Sequence, residues 1–224
     1  SKYGLLALPV LDLDGLMVGI VTFDDAMDVI EEETTEDMAL MGAVTPSEKP
    51  YFETSTLEHA KNRIVWLLVL MISSTFITRY EDAFAVVPLL VSFIPMLMDT
   101  GGNCGSQSST LIIRGLALDE IKLSDVFRVL FKEFRISLIV GAALSLANGL
   151  RIWIMYKSVT LAVVVSLSLM ATIIISKLIG GLLPLFAKKL HCDPAIMAAP
   201  LITTIVDACS IIIYFRIATL IFHL

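Results

Sequence analysis

The chain has 224 residues, of which 57% are hydrophobic and 17% charged, with a formal net charge of −6. Eleven of its Asp and Glu residues fall within residues 1–48 beside a single Lys, whereas the remainder carries fifteen basic and eleven acidic residues. A predominantly apolar body behind a concentrated acidic segment argues against a nucleic-acid binder and for a membrane protein whose soluble part attracts cations.

In chain order, Leu6 to Leu13 and Leu16 to Phe23 are short apolar runs either side of Asp14-Gly15, the pattern of a β-hairpin. Asp24 follows as the expected N-cap of a helix, with Ala26, Val29 and Ile30 recurring at helical spacing behind it. Eight carboxylates and no Lys or Arg lie between Asp24 and Asp37. On a helix, Asp25, Asp28 and Glu32 share one face, and Glu33, Glu36 and Asp37 a neighbouring one. Like charges at these spacings oppose the helix unless cations or a basic partner neutralise them. The plain alternative is a solvated acidic face.

Thr45-Pro-Ser-Glu-Lys-Pro50 reads as a linker, because proline cannot donate to a continuing helix. Thr56 to Arg63 then forms an amphipathic lead-in to five apolar spans: Ile64 to Thr78, Ala83 to Ile113, Ile136 to Asn148, Val159 to Leu190 and Ala195 to Phe222. Several reach the ~20 residues needed to cross a bilayer. Asp119 to Phe134, which mixes Lys122, Arg128 and Lys132 with Val126, Phe127, Leu130 and Phe131, is expected to be a separate interfacial helix. Nine basic residues flank the spans on the N-terminal side and four on the other, predicting a cytoplasmic N-terminus and an outside C-terminus.

Within the second span, Pro95 to Gln107 places Asp99, Gly101, Gly102, Asn103 and Gly105 inside an apolar stretch. This predicts a helix that breaks and then resumes. Broken backbone at membrane depth survives only where it lines protein or water, so the segment is expected to line a pore or binding site. The last span carries one acid, Asp207, among apolar neighbours. An intramembrane carboxylate costs ~2.5 to 3.5 kcal/mol even on a lenient insertion scale and marks a functional site by default. Lys177 is the basic residue that lies well inside a span and could pair with it. Thr203, Thr204 and Ser210 read as packing hydroxyls before they read as ligands.

Cys104, Cys192 and Cys209 lack C-x-x-C spacing, so they are expected to be packing residues rather than a disulfide or zinc framework. His59, His191 and His223 are scattered, and without a thiolate or imidazole cluster the softer metals lack ligands. H-E-x-x-H and G-x-S-x-G sequences do not occur, which argues against an intramembrane enzyme. The opening Ser1-Lys2-Tyr3 has no charged segment leading into an apolar one, and reads as a cut through a larger protein rather than a signal peptide.

Taken together, these segments resemble the MgtE family of magnesium transporters. Leu8-Pro-Val-Leu-Asp and Val18 to Asp28 resemble the end of its second cystathionine-β-synthase (CBS) domain, and Glu31 to Asp37 its acidic junction into a connecting, or plug, helix. Met98-Asp-Thr-Gly-Gly-Asn-Cys-Gly-Ser-Gln-Ser-Ser-Thr-Leu with Arg114-Gly-Leu-Ala is similar to the signature of its second membrane helix, and Asp193-Pro-Ala through Asp207 to its last. The resemblance implies a partial α/β CBS unit at residues 1–33, a junction and plug helix at 34–62, and an all-α transmembrane domain of five helices at 63–224. It further implies a homodimer in the inner membrane that conducts Mg2+ inward and is closed by cytosolic Mg2+. Asp207 would be the main pore ligand, with Asp99, Gly101, Asn103, Thr203 and Asp193 along the pore or at its mouth, and Asp25, Asp28, Glu33, Glu36 and Asp37 regulatory. Discrimination among Mg2+, Mn2+ and Co2+ stays open, and a proton- or sodium-coupled cation transporter or exporter is the alternative.

Overall fold

A computed structural model describes residues 4–47, 53–74, 88–197 and 199–222. The predicted hairpin is present as β1 (Ala7–Leu11) and β2 (Met17–Thr22), antiparallel, with a register irregularity at Val10/Leu11. Its turn is held by the Asp12 carboxylate, which accepts from the amides of Asp14 at 3.0 Å and Leu16 at 2.8 Å. Gly15 there has φ +80, a conformation that costs other residues a Cβ clash.

The helix α1 (Phe23–Met41) starts earlier than expected, because Thr22 rather than Asp24 is its N-cap. Asp25 completes a capping box: its carboxylate accepts from the Thr22 amide at 2.7 Å and from the Thr22 hydroxyl. After α1 the chain turns at Gly42 and Ala43, and the Thr45 amide donates to the Asn62 carbonyl of α2 (Thr56–Ser74) at 3.0 Å. The amphipathic lead-in is simply the start of α2. Residues 48–50 of the predicted linker, the end of the first predicted span with Arg79, the start of the second, and His223 lie outside the described residues.

A short helix α3 (Pro88–Val91) precedes α4 (Ile94–Ala117), then come α5 (Val126–Tyr156), α6 (Val159–Lys189) and α7 (Ala199–Phe222). Two expectations are corrected here. The glycine-rich segment does not break: α4 runs unbroken through Asp99 to Gln107, and the irregularity sits upstream at Ser92–Phe93. Nor is there a separate interfacial helix. A 3-10 turn at Leu123–Asp125 leads into α5, whose 31 residues include Arg128, Lys132 and the predicted third span. At 1.5 Å per residue α5 is about 46 Å long against about 30 Å of hydrocarbon, so its basic first turns reach beyond the apolar layer without a break.

Among the described residues three helical stretches are long and apolar enough to cross a membrane, Leu123–Tyr156, Val159–Lys189 and Pro194–Phe222. Large apolar side chains project outward from them, including Phe127, Ile139, Leu146, Val159 and Leu220. Such exposure would be a liability in water and is the expected outer face in lipid.

The helix α6 is the central post, packed against α4, α5 and α7. Lipid gives helices no hydrophobic incentive to associate, so close van der Waals contact through small residues must do it. On α6 the residues at every fourth position, Ser168, Thr172, Ser176, Gly180 and Pro184, are all buried. On α5 the corresponding stripe is Ser137, Gly141 and Ser145. The glycines of α4 meet the α6 stripe directly: a Cβ on Gly105 would lie 3.2 Å from the Ser176 carbonyl and 2.7 Å from Ile202 Cγ2 of α7, and one on Gly180 would overlap the Gly105 carbonyl.

Gly180→Ala should therefore fail to pack without separating α4 from α6, at a cost of about 1–3 kcal/mol. A drop in thermal unfolding temperature of the detergent-solubilised protein checks this, with Gly19→Ala in the open hairpin, where no atom lies within 4 Å, as the control.

Candidate functional site

Two acidic groups occupy different depths of the molecule. The deeper one lies between α4 and α7. Asp99 and Asn103 stand one helical turn apart, and Asn103 Nδ2 donates to Asp99 Oδ1 at 3.2 Å. Asp207 of α7 is half-buried, and the exposed Asp99 lies within electrostatic reach of it. Glycine sets the spacing of the two helices here. A Cβ on Gly101 would come to 2.7 Å from Thr172 Cγ2 and 2.9 Å from Val206 Cγ1, and one on Gly102 to 2.9 Å from Thr203 Cγ2. The glycines thus serve close approach within a regular helix.

Around Asp207 the hydroxyls donate along their own helix. Thr203 and Thr204 both donate to the Pro200 carbonyl, at 3.0 and 2.9 Å, and Ser210 to the Val206 carbonyl at 2.6 Å. Lys177, the counter-charge that the sequence left open for Asp207, instead donates from Nζ to Ser108 Oγ at 3.3 Å. Above the site, Tyr214 is fully buried and its hydroxyl donates to the Leu90 carbonyl at 2.9 Å, which ties α7 to the segment ahead of the Ser92–Phe93 irregularity.

The shallower group forms where α1 meets the 3-10 turn Pro194–Met197. Asp193 organises that turn by accepting from the Ala195 amide at 2.8 Å. Asp37 is half-buried beside it, and burial pushes its carboxyl above the usual carboxylate range, with Asp193, Glu33 and Glu36 adding to the effect. Asp25 and Asp28 do not join. They lie nine or more positions before Asp37, about 13 Å or more along α1. Hydrogen bonds from the Thr22 hydroxyl and amide hold the Asp25 carboxyl below its ordinary range.

Among the described residues, no group of three or more His, Cys, Asp and Glu is placed to hold a metal ion. Each acidic group is a partial shell of oxygen donors. That chemistry suits a hard cation that keeps most of its water. Cys104 is buried and Cys209 half-buried, as packing residues would be, whereas Cys192 is exposed.

Sequence reasoning missed one buried polar group altogether. Glu133 of α5 and Lys177 of α6 are each 5% exposed and meet through Ser108 of α4. The signal was there: Glu133 precedes Ser137, Gly141 and Ser145 at the same four-residue spacing, so it belongs to the packed stripe of α5.

The fold and site define a helical membrane protein with carboxylates placed between closely packed helices. Residues 94–217 match the MgtE family, described as a divalent cation transporter. The chain is 38% identical over its whole length to a protein named magnesium transporter MgtE in Bacillus subtilis, and 38% identical over 98% of its length to that of Thermus thermophilus. The counterpart in Enterococcus faecalis is 33% identical over 97% of the chain. This chain belongs to the MgtE family, and it spans about half the length of these relatives.

An acid whose pKa is raised by folding takes up protons more readily when folded, so its charged form opposes the docking of α1 at high pH and ceases to do so as pH falls. Asp37→Asn should accordingly raise the unfolding temperature at about pH 8 in metal-free buffer, the gain shrinking as the pH is lowered and the wild-type carboxyl takes up its proton. Differential scanning fluorimetry across that range tests it; no gain at the alkaline end contradicts the stated surroundings of Asp37.

Proposed function

We propose that this chain is the ion-conducting part of a magnesium transporter that passes Mg2+ into the cytoplasm as a channel, down its electrochemical gradient. The observation that carries the reading is the placement of Asp207 in the apolar α7, beside Asp99 and its partner Asn103 on α4. The names of the relatives support magnesium as the ion. A pair of carboxylates is too few for an octahedral cage, and suits an ion that retains its water and is held through it. A second copy related by a two-fold axis along the pore would double the set, so a homodimer completes the site. Gly101 and Thr203 border it, and Asp193 stands at the mouth. Mn2+ and Co2+ are further candidate ions.

In this reading the chain crosses the bilayer five times with its N-terminus inside, and residues 1–33 are the end of a CBS domain whose remainder would cover the exposed apolar side chains of the hairpin, such as Leu6, Leu8 and Ile20. Residues 34–62 connect it to the transmembrane part at 63–224. Membrane voltage supplies a strong drive, about 4.6 kcal/mol per 100 mV for a divalent ion. Closure would come from Mg2+ neutralising the mutual repulsion of Glu33, Glu36, Asp37 and Asp193, so that α1 settles on the turn at Pro194–Met197 when cytosolic Mg2+ is high. Asp25 and Asp28 would act on the other half of α1, towards the rest of the CBS domain. The alternative is an ion-coupled transporter with Asp207 as a proton relay. Proton movement stoichiometric with Mg2+ flux in vesicles would favour it over the channel.

Asp207→Asn should lower Mg2+ uptake by about 10-fold or more, as expected when a principal charged ligand is lost, while Thr204→Ala stays near wild type. Uptake in magnesium-starved cells measures this, and equal uptake by Asp207→Asn and wild type removes Asp207 from the pathway. In the full-length protein, neutralising Glu33, Glu36 and Asp37 together should abolish or weaken closure by cytosolic Mg2+ in patch recordings. Unchanged closure would leave that cluster a solvated face.

A further inference from the structure

The buried group formed by Glu133, Ser108 and Lys177 is used by none of the steps above. Ser108 Oγ donates to Glu133 Oε2 at 2.6 Å and accepts from Lys177 Nζ at 3.3 Å, so one hydroxyl joins a carboxylate of α5 to an ammonium of α6 through α4. Three helices meet at a single serine. The surroundings are built to receive these groups: Gly181 of α6 faces the Glu133 stem, where a Cβ would lie 3.3 Å from Cγ. Ser108 is 1% exposed.

Charges in such a place are costly unless paired and hydrogen-bonded, and removing one partner leaves the other stranded. What the triad gives in return follows from helix geometry. Nine positions separate Ser108 from Asp99 on the unbroken α4. At about 100° per residue this is about 900°, which places the two on opposite faces of the helix. The back of α4 is anchored between two charges, while the opposite face carries the exposed Asp99, which lies within electrostatic reach of Asp207, and Asn103 one turn on. With glycine at 101, 102 and 105, α4 has few side-chain ridges there to resist rotation or sliding, so a directional bond on its back face fixes what its shape leaves free.

We propose that Glu133, Ser108 and Lys177 form a buried brace that sets the rotation of α4 and thereby the affinity of the Asp99–Asn103–Asp207 site for its divalent cation. These are positioning residues: they act through α4 and touch no ion. The proposal rests on the reading of that site as the cation pathway.

The test uses the full-length protein reconstituted into vesicles containing a Mg2+-sensitive dye, with half-saturating concentration and maximal rate measured separately. Loss of a group that orients metal ligands costs about 10- to 100-fold in affinity, and Ser108→Ala should raise the half-saturating Mg2+ concentration about 10-fold. Ser108→Thr, which keeps the hydroxyl, should restore it. A through-space charge effect makes a different prediction. It would have Glu133→Gln weaken and Lys177→Met strengthen cation binding, whereas a brace is damaged by either, and the double variant Glu133→Gln/Lys177→Met recovers part of the loss because no unpaired charge remains. Wild-type half-saturation in Ser108→Ala, or opposite shifts in the two charge variants, overturns the brace. If Ser108→Ala does not fold, the comparison is made between Lys177→Met and Lys177→Arg, where equal affinity overturns it. A wild-type protein that passes no Mg2+ rejects the transport reading instead, and the two failures are thereby told apart.

Discussion

Everything in this molecule depends on how closely α4 can approach α6 and α7. In lipid, helices are not driven together by apolar surface, and polar groups have no water to fall back on, so stability comes from contact through small residues and from satisfied hydrogen bonds. Gly101, Gly102 and Gly105 let α4 lie where any Cβ would collide with Thr172, Thr203 or Ile202. The same closeness brings Asp99 within reach of Asp207. Packing and site are consequences of one stripe of glycine.

The cost of this arrangement is a helix with little shape of its own over the segment that carries the acids. The surrounding structure compensates at both ends and at the back. Tyr214 holds the Leu90 carbonyl ahead of α4, Lys188 donates to the Leu116 carbonyl near its end at 3.2 Å, and Ser108 is held between Glu133 and Lys177 in the middle. The proposed cation site, built on two helices, needs such anchoring, since small displacements of a ligand change affinity steeply.

The acidic surface of α1 poses the opposite problem. Glu33, Glu36 and Asp193 all repel Asp37, yet α1 is packed against the turn at Pro194–Met197. An interface that packs against an electrostatic penalty responds to whatever neutralises it, which is the physical basis of the proposed closure by cytosolic Mg2+. Asp25, by contrast, is spent largely on the capping box of α1.

The hairpin at Asp14-Gly15, the helical acidic segment, the third to fifth apolar spans and the lone Asp207 were readable in the chain, because each depends on local propensity, periodicity or the cost of one charge in an apolar run. The resemblance of the segment around Asp99 to the family signature was legible too, because a motif is a contiguous string of residues. What the sequence could not decide was what the glycines were for. Glycine weakens a helix taken alone, and a polar glycine-rich segment therefore looked like a break; packed against Thr172, Thr203 and the Ser176 carbonyl it is the residue that a close helix crossing requires. Partners of the buried charges were likewise beyond reach. Lys177 stood as the possible counter-charge of Asp207, and only the crossing of three helices showed that Ser108 and Glu133 take it instead, since the distance between groups on different helices is set by tertiary packing and by nothing local.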